Sequence, residues 1–136
     1  MLRPAFVGGV KLLEQYSLAY DILIFAKHLP NTLKLVEQFS KDQIFVVDHI
    51  AKPSIKAQLL EPWAENMRLL AKHSNVYCKV SGMVTEADWE NWQYEDFVPY
   101  LDVVFEAFGS DRILIGSDWP VCLVAGSYHE IMNIIS

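Results

Sequence analysis

The sequence predicts a parallel α/β sheet with helices outside it, and three observations carry that expectation. Four short apolar runs start near residues 20, 43, 76 and 112 and alternate with stretches of helical periodicity. Their starts lie 23 to 36 residues apart, the length of one strand plus one crossover helix. The runs carry apolar residues on both faces, as strands covered on both sides of a parallel sheet do. The clearest is Arg112 to Pro120, RILIGSDWP, where Ile113, Leu114 and Ile115 read as a short buried strand ended by Gly116. Four such units are half of a (β/α)8 barrel, since whole barrels run to about 250 residues.

Taken in order, residues 5–17 read as a helix with a break at Gly8-Gly9, and Tyr20 to Ile24 as the first strand. Lys27 to Pro30 is a loop that leads into a helix through Phe39, with Leu33, Val36 and Phe39 on one face. Gln43 to Ile50, QIFVVDHI, is the second strand. A helix is expected from Lys56 to Ala71 on the spacing of Leu59, Trp63, Met67 and Leu70, with an interruption at Pro62. Asn75 to Ser81 is the third strand, closed by Gly82. Residues 83–95 form a loop rich in Trp and acids with a short helix near Glu86 to Trp92. Asp96 to Phe108 is a helix with Gly109 as its C-cap. The fourth strand follows, then a last helix from Ser127 to Ile135.

Composition narrows the function classes. The chain has 136 residues, 52% of them apolar, and a net charge of −6, which suits one globular domain and not a disordered segment. An acidic chain without a Lys/Arg cluster lacks the footprint of a nucleic-acid binder. No apolar run approaches the roughly 18 residues of a membrane span, and the N-terminus has no signal-peptide core. Cys78 and Cys122 belong to no CxxC pair and read as buried free thiols, which places the protein in the reducing cytoplasm.

Because the strands run the same way, the polar residues that follow them collect at one end. They are Lys27 and His28, then His49 and Lys52, then Lys79, Ser81 and Glu86, and finally Asp118. An imidazole and a carboxylate so placed can serve as metal ligands or as an acid/base pair. Each also has a plainer role when taken singly. His49 could be a core histidine, Asp118 a turn cap, Asp48 a cap or a pair with a neighbouring loop, and Lys79 a snorkelling lysine. His73 and His129 fall on helices and are expected at the surface. The sequence has no G-x-S-x-G elbow, no Walker A and no G-x-G-x-x-G, and Gly8-Gly9 is a weak phosphate-loop candidate. Trp89, Trp92 and Tyr94 could line a sugar site or pack as a lid over the rim, the second being favoured.

Three stretches together resemble a known family. VVDHIAKP (Val46–Pro53), NVYCKVSGMVTEADW (Asn75–Trp89) and FGSDRILIGSDWPVC (Phe108–Cys122) are similar to the amidohydrolase-related lactone hydrolases, which include fuconolactone and pyrone-dicarboxylate lactonases. FVGGVKLLEQYSLAYDILI (Phe6–Ile24) and HLPNTLKLVEQF (His28–Phe39) fit the middle of that family, so the resemblance covers nearly the whole chain. It implies a distorted (β/α)8 barrel that opens a cyclic ester of a sugar acid or dicarboxylate. The family's histidine after the fifth strand maps onto His49, its aspartate after the eighth onto Asp118, and its carboxylate-holding basic residue onto Lys52.

The strand-end residues and the resemblance together set the expected site. His49 and Asp118 are the catalytic pair, while Lys52, Lys79, Glu86, His28 and Trp119 bind a small-molecule substrate. A divalent metal such as zinc, where one is used, falls to His49 and Asp118. The departure is large, because the family's first strand carries an H-x-H pair and none occurs here. Residues 1–136 therefore read as a partial domain, the C-terminal half of such a barrel, inactive alone and open to homo-oligomerisation. A decarboxylase on the same scaffold and a non-catalytic half-barrel are the competing readings.

Overall fold

The computed structural model describes residues 1–135. The expected alternation is present. Helix α1 spans Pro4–Gln15, β1 Tyr20–Ile22, α2 Leu29–Val36, β2 Phe45–Val47 and α3 Trp63–Ala71. Then come β3 Val76–Val80, α4 Val98–Phe108, β4 Ile113–Ile115 and α5 Tyr128–Asn133. The four strands form one sheet in the order β1-β2-β3-β4, and every pairing is parallel.

Strand parity gives the sheet two unlike faces. The rows Tyr20–Phe45–Val76 and Ile22–Val47–Cys78–Ile113 lie on one face. Most of that face is buried in a single apolar cluster with Val10 of α1, Met67 and Leu70 of α3 and Val104 of α4. The opposite face carries Asp21, Val46, Tyr77, Lys79 and Leu114. There Lys79 Nζ bonds Asp48 and, at 3.2 Å, Asp21 Oδ2. Burial alone would pull the Lys79 ammonium down, but its hydrogen bonds to Asp48 and then Asp21 outweigh that and raise it.

Two polar contacts tie the layers. The Trp63 indole donates to the Ile50 carbonyl at 2.7 Å, anchoring the start of α3 beneath the loop after β2. The Arg112 guanidinium donates to the carbonyls of His73 and Val76, both at 3.0 Å, and lies over the Phe108 ring. Arg112 thus joins the α3–β3 turn to the start of β4, and it precedes the strand that its sequence run suggested.

Several expectations need correction. Gly8 and Gly9 lie inside α1 with no break and form no phosphate loop. The helix expected from Lys56 is absent before Pro62, where Gln58 has φ 51°, while the interruption expected at Pro62 is present and the helix starts afresh at Trp63. The second strand stops at Val47, where the backbone turns left-handed. Residues 83–86 and 94–96 form 3-10 turns, and no α-helix runs from 86 to 92. His73 sits in the turn after α3 and not on the helix. Strand β4 was expected to be buried on both faces, yet Leu114 is 40% and Ile115 54% exposed, because β4 is an edge. No described helix is long and apolar enough to cross a membrane. Cys78 and Cys122 are buried free thiols, and burial raises both above the ordinary thiol range.

Candidate active site

The site is built where β2, β3 and β4 end. After Val47 the chain enters a left-handed turn, with φ of 52° at His49, 45° at Ile50, 59° at Ala51 and 48° at Lys52. L-residues resist this conformation by about 1–2 kcal/mol each. Here the burial of Ile50 and Ala51 and the Trp63 bond to Ile50 hold it in place. Asp118, after β4, also has positive φ, at 61°, a conformation that Asp tolerates better than most residues. Its carbonyl accepts from the Cys122 N–H at 2.9 Å, closing the loop onto residues 121–124.

These turns bring His49 Nε2 to 3.8 Å from Asp118 Oδ1, each side chain 16% exposed. That separation exceeds hydrogen-bond reach, so the groups face each other without being locked together. On the other side of the ring, His49 Nδ1 lies 2.8 Å from Ser81 Oγ. Gly82, at φ 61°, runs directly against the pair. A Cβ there would stand 2.8 Å from His49 Nδ1 and 3.0 Å from Asp118 Oδ2. The Asp118 charge, after burial, also helps raise the Cys122 thiol.

A second cluster forms around Lys52. Its Nζ lies 3.5 Å from Glu86 Oε1 and 5.6 Å from the centre of the Phe25 ring. His28 accepts at Nδ1 from the Phe25 N–H at 3.3 Å. Phe25 and Lys52 line two adjoining concavities, one of about 440 Å³ that also includes His28, the other of about 260 Å³ that includes Glu86. Sequence reading named Lys52, Glu86 and His28 but missed Phe25, since an aromatic residue just past a strand gives no signal apart from core.

The remaining expected residues stand differently. Lys79 is engaged by Asp48 and Asp21 on the sheet face, so Asp48 pairs with a strand and not with a neighbouring loop. Trp119 is 64% exposed. Trp92 donates to the Ala125 carbonyl at 2.8 Å and packs on Phe97, as a strap would, while Trp89 bonds the Thr85 carbonyl. His49 and Asp118 are two donors. Among the described residues no group of three or more His, Cys, Asp or Glu could hold a metal ion. A catalytic zinc site needs three protein ligands, so these residues alone do not complete one.

Comparison with known proteins matches residues 2–135 to the amidohydrolase family model. An L-fucono-1,5-lactonase of Burkholderia multivorans is 35% identical over 96% of this chain and 47% of its own length. An L-fucono-1,5-lactonase of Burkholderia ambifaria is 37% identical over 93% of this chain and 43% of its own. The crystal structure of a Burkholderia multivorans amidohydrolase with bound zinc superposes with a TM-score of 0.92 at 35% identity, over 98% of this chain and 49% of that one. The chain thus spans about half the length of the relatives it matches.

Proposed function

The chain belongs to the amidohydrolase family, and from that premise we propose that it carries the C-terminal half of a barrel domain that hydrolyses a lactone. The facing of His49 and Asp118 at 3.8 Å carries this reading. A carboxylate with an imidazole opposite it suits the attack of water on a cyclic ester. Asp118 accepts the proton of the attacking water as general base. His49 Nε2 meets the negative charge that develops on the carbonyl oxygen. The acyl–oxygen bond then breaks, the leaving ring oxygen takes the proton held by Asp118, and the ring opens to a hydroxy acid.

The Lys52 cluster orients the ring. Lys52 donates and Glu86 accepts, so together they suit the hydroxyls of a sugar lactone such as those named for the relatives. His28 lines the same concavity as Lys52, and Lys79 holds Asp48 at the start of the turn that carries His49. A divalent metal, where one is used, would take His49 and Asp118 together with donors from outside the described residues. Two buried thiols fit a reducing cytoplasmic setting. The exposed apolar side chains of Leu114, Ile115 and Leu123 fit cover by the other half of a barrel or by a second copy.

The test is complementation. The chain, joined to the N-terminal half of the Burkholderia multivorans lactonase, is assayed for proton release on L-fucono-1,5-lactone beside the chain alone. Activity in the joined protein that Asp118→Asn removes supports the reading. A joined barrel that folds and shows no hydrolysis of this lactone or other aldonolactones sinks it.

A further inference from the structure

We infer that Ser81 is a positioning residue whose hydroxyl donates to Nδ1 of His49 and fixes the neutral imidazole with its ring proton on Nε2, the side that faces Asp118. Ser81 follows β3 directly and is 2% exposed. Its Oγ lies 2.8 Å from His49 Nδ1, its one hydrogen-bond partner among the described residues. The backbone just past β4 runs beside it, where a Cβ added to Gly116 would lie 3.6 Å from Ser81 Cβ.

The direction of the bond follows from hydrogen-bond accounting. If the hydroxyl donates to Nδ1, its single proton and the ring lone pair are both used. If Nδ1–H donated instead, the serine proton would be left in a buried place without an acceptor, which native structures rarely tolerate. With Nδ1 accepting, the ring proton sits on Nε2, 3.8 Å from a carboxylate oxygen that favours it there. His49 then presents a donor to a carbonyl oxygen. Ligation of a metal through Nε2 would require that proton to leave and the serine hydroxyl to reverse its role. Ser81 thereby biases His49 toward polarising the ester. The bearing on catalysis rests on the proposed lactone hydrolysis, whereas the tautomer itself does not.

The experiment reads the tautomer without turnover. Long-range proton–nitrogen spectra of the uniformly 15N-labelled 136-residue chain are recorded near pH 8.5, above the ordinary histidine pKa of about 6.5. His49 is assigned by the loss of its signals in His49→Asn, and His73 and His129 serve as internal references. The expected result is a protonated Nε2 and an unprotonated Nδ1 at His49. Ser81→Ala should shift both nitrogens toward the average of mixed tautomers, and Ser81→Thr, which keeps the hydroxyl, should restore the pattern. If Ser81→Ala does not fold, Ser81→Gly, which also removes the donor, replaces it with the same outcomes. A protonated Nδ1 in the unmodified chain, or a pattern indifferent to loss of the hydroxyl, overturns the inference. Failure of lactone hydrolysis in the joined barrel leaves this result untouched, so the two readings fall separately.

Discussion

His49 and Asp118 approach each other across the backbone of Gly82, and the absent side chain at that glycine is what makes the approach possible. A methyl there would meet the His49 ring at 2.8 Å and the Asp118 carboxylate at 3.0 Å. The φ of 61° adds strain for any L-residue. Gly82→Ala should therefore destabilise the chain by roughly 1–3 kcal/mol and separate the pair. Denaturant titration reads the first effect, and loss of turnover in the joined barrel reads the second. A Gly82→Ala protein with unchanged stability would show that the turn is looser than its geometry states.

Asp118→Asn should nearly abolish hydrolysis in the joined barrel while leaving the fold intact. The amide keeps the size and most hydrogen bonds of the carboxylate but cannot take the proton of water. Loss of a general base costs on the order of 10²–10⁴ in rate. Lys52→Met should act differently, raising KM with little change in kcat, if its contacts are equal in ground and transition states. His73→Asn, in the turn after α3, is the control and should leave both constants alone. Near-normal turnover in Asp118→Asn would reduce Asp118 to a turn residue.

The architecture was legible because its signals are strong and repeated. Ile22, Phe45, Val47, Val76 and Val80 are apolar at the strand positions that face helices, and the spacing between runs admits only a crossover helix. The end of the sheet that gathers His49 and Asp118 follows from parallel direction alone. Local backbone was less legible. Nothing in HIAK announces four left-handed residues, since only Gly and Asn usually signal that conformation. The exposure of β4 was missed because ILI has the composition of a central strand, and edge position depends on neighbours that lie outside the run. Ser81 reads as a strand-end polar residue, but its bond to His49 joins the ends of two strands and has no local trace.

Lys79 links β3 to Asp48 beside β2 and Asp21 of β1, and this should show as a pH-dependent stability. Its pKa is raised in the folded chain by those two carboxylates against the pull of burial. A cation so raised contributes stability that is fully present below the unfolded value of about 10.4 and is lost as pH rises through the folded value. Tyr20, Tyr100 and Cys78, also raised by burial, push in the same direction. Denaturation midpoints measured from pH 8 to 12 should fall in the alkaline arm. Lys79→Met should flatten that arm and, at neutral pH, destabilise by roughly 1–3 kcal/mol, chiefly by leaving the mostly buried Asp48 unpaired, since the Asp21 carboxylate is open to water. Coincident curves for the two proteins would mean that the ion pair carries no net stability.

The 136-residue chain alone should self-associate. Its sheet has two open edges, β1 and β4, each with unpaired backbone groups ready to template another strand. The surface beside β4 is apolar, with Leu114, Ile115, Trp119, Val121, Leu123 and Val124 all exposed, and Leu23 and Phe25 are exposed next to β1. So many exposed apolar side chains along one short stretch favour association. Sedimentation velocity over a range of concentrations should give a mass above one chain that rises with loading. Ile115→Lys together with Leu123→Lys, both on exposed side chains, should shift the distribution toward the monomer without lowering the unfolding midpoint. A single monomeric species at high concentration, with a sharp thermal transition, would mean that this face is stable in water as it stands.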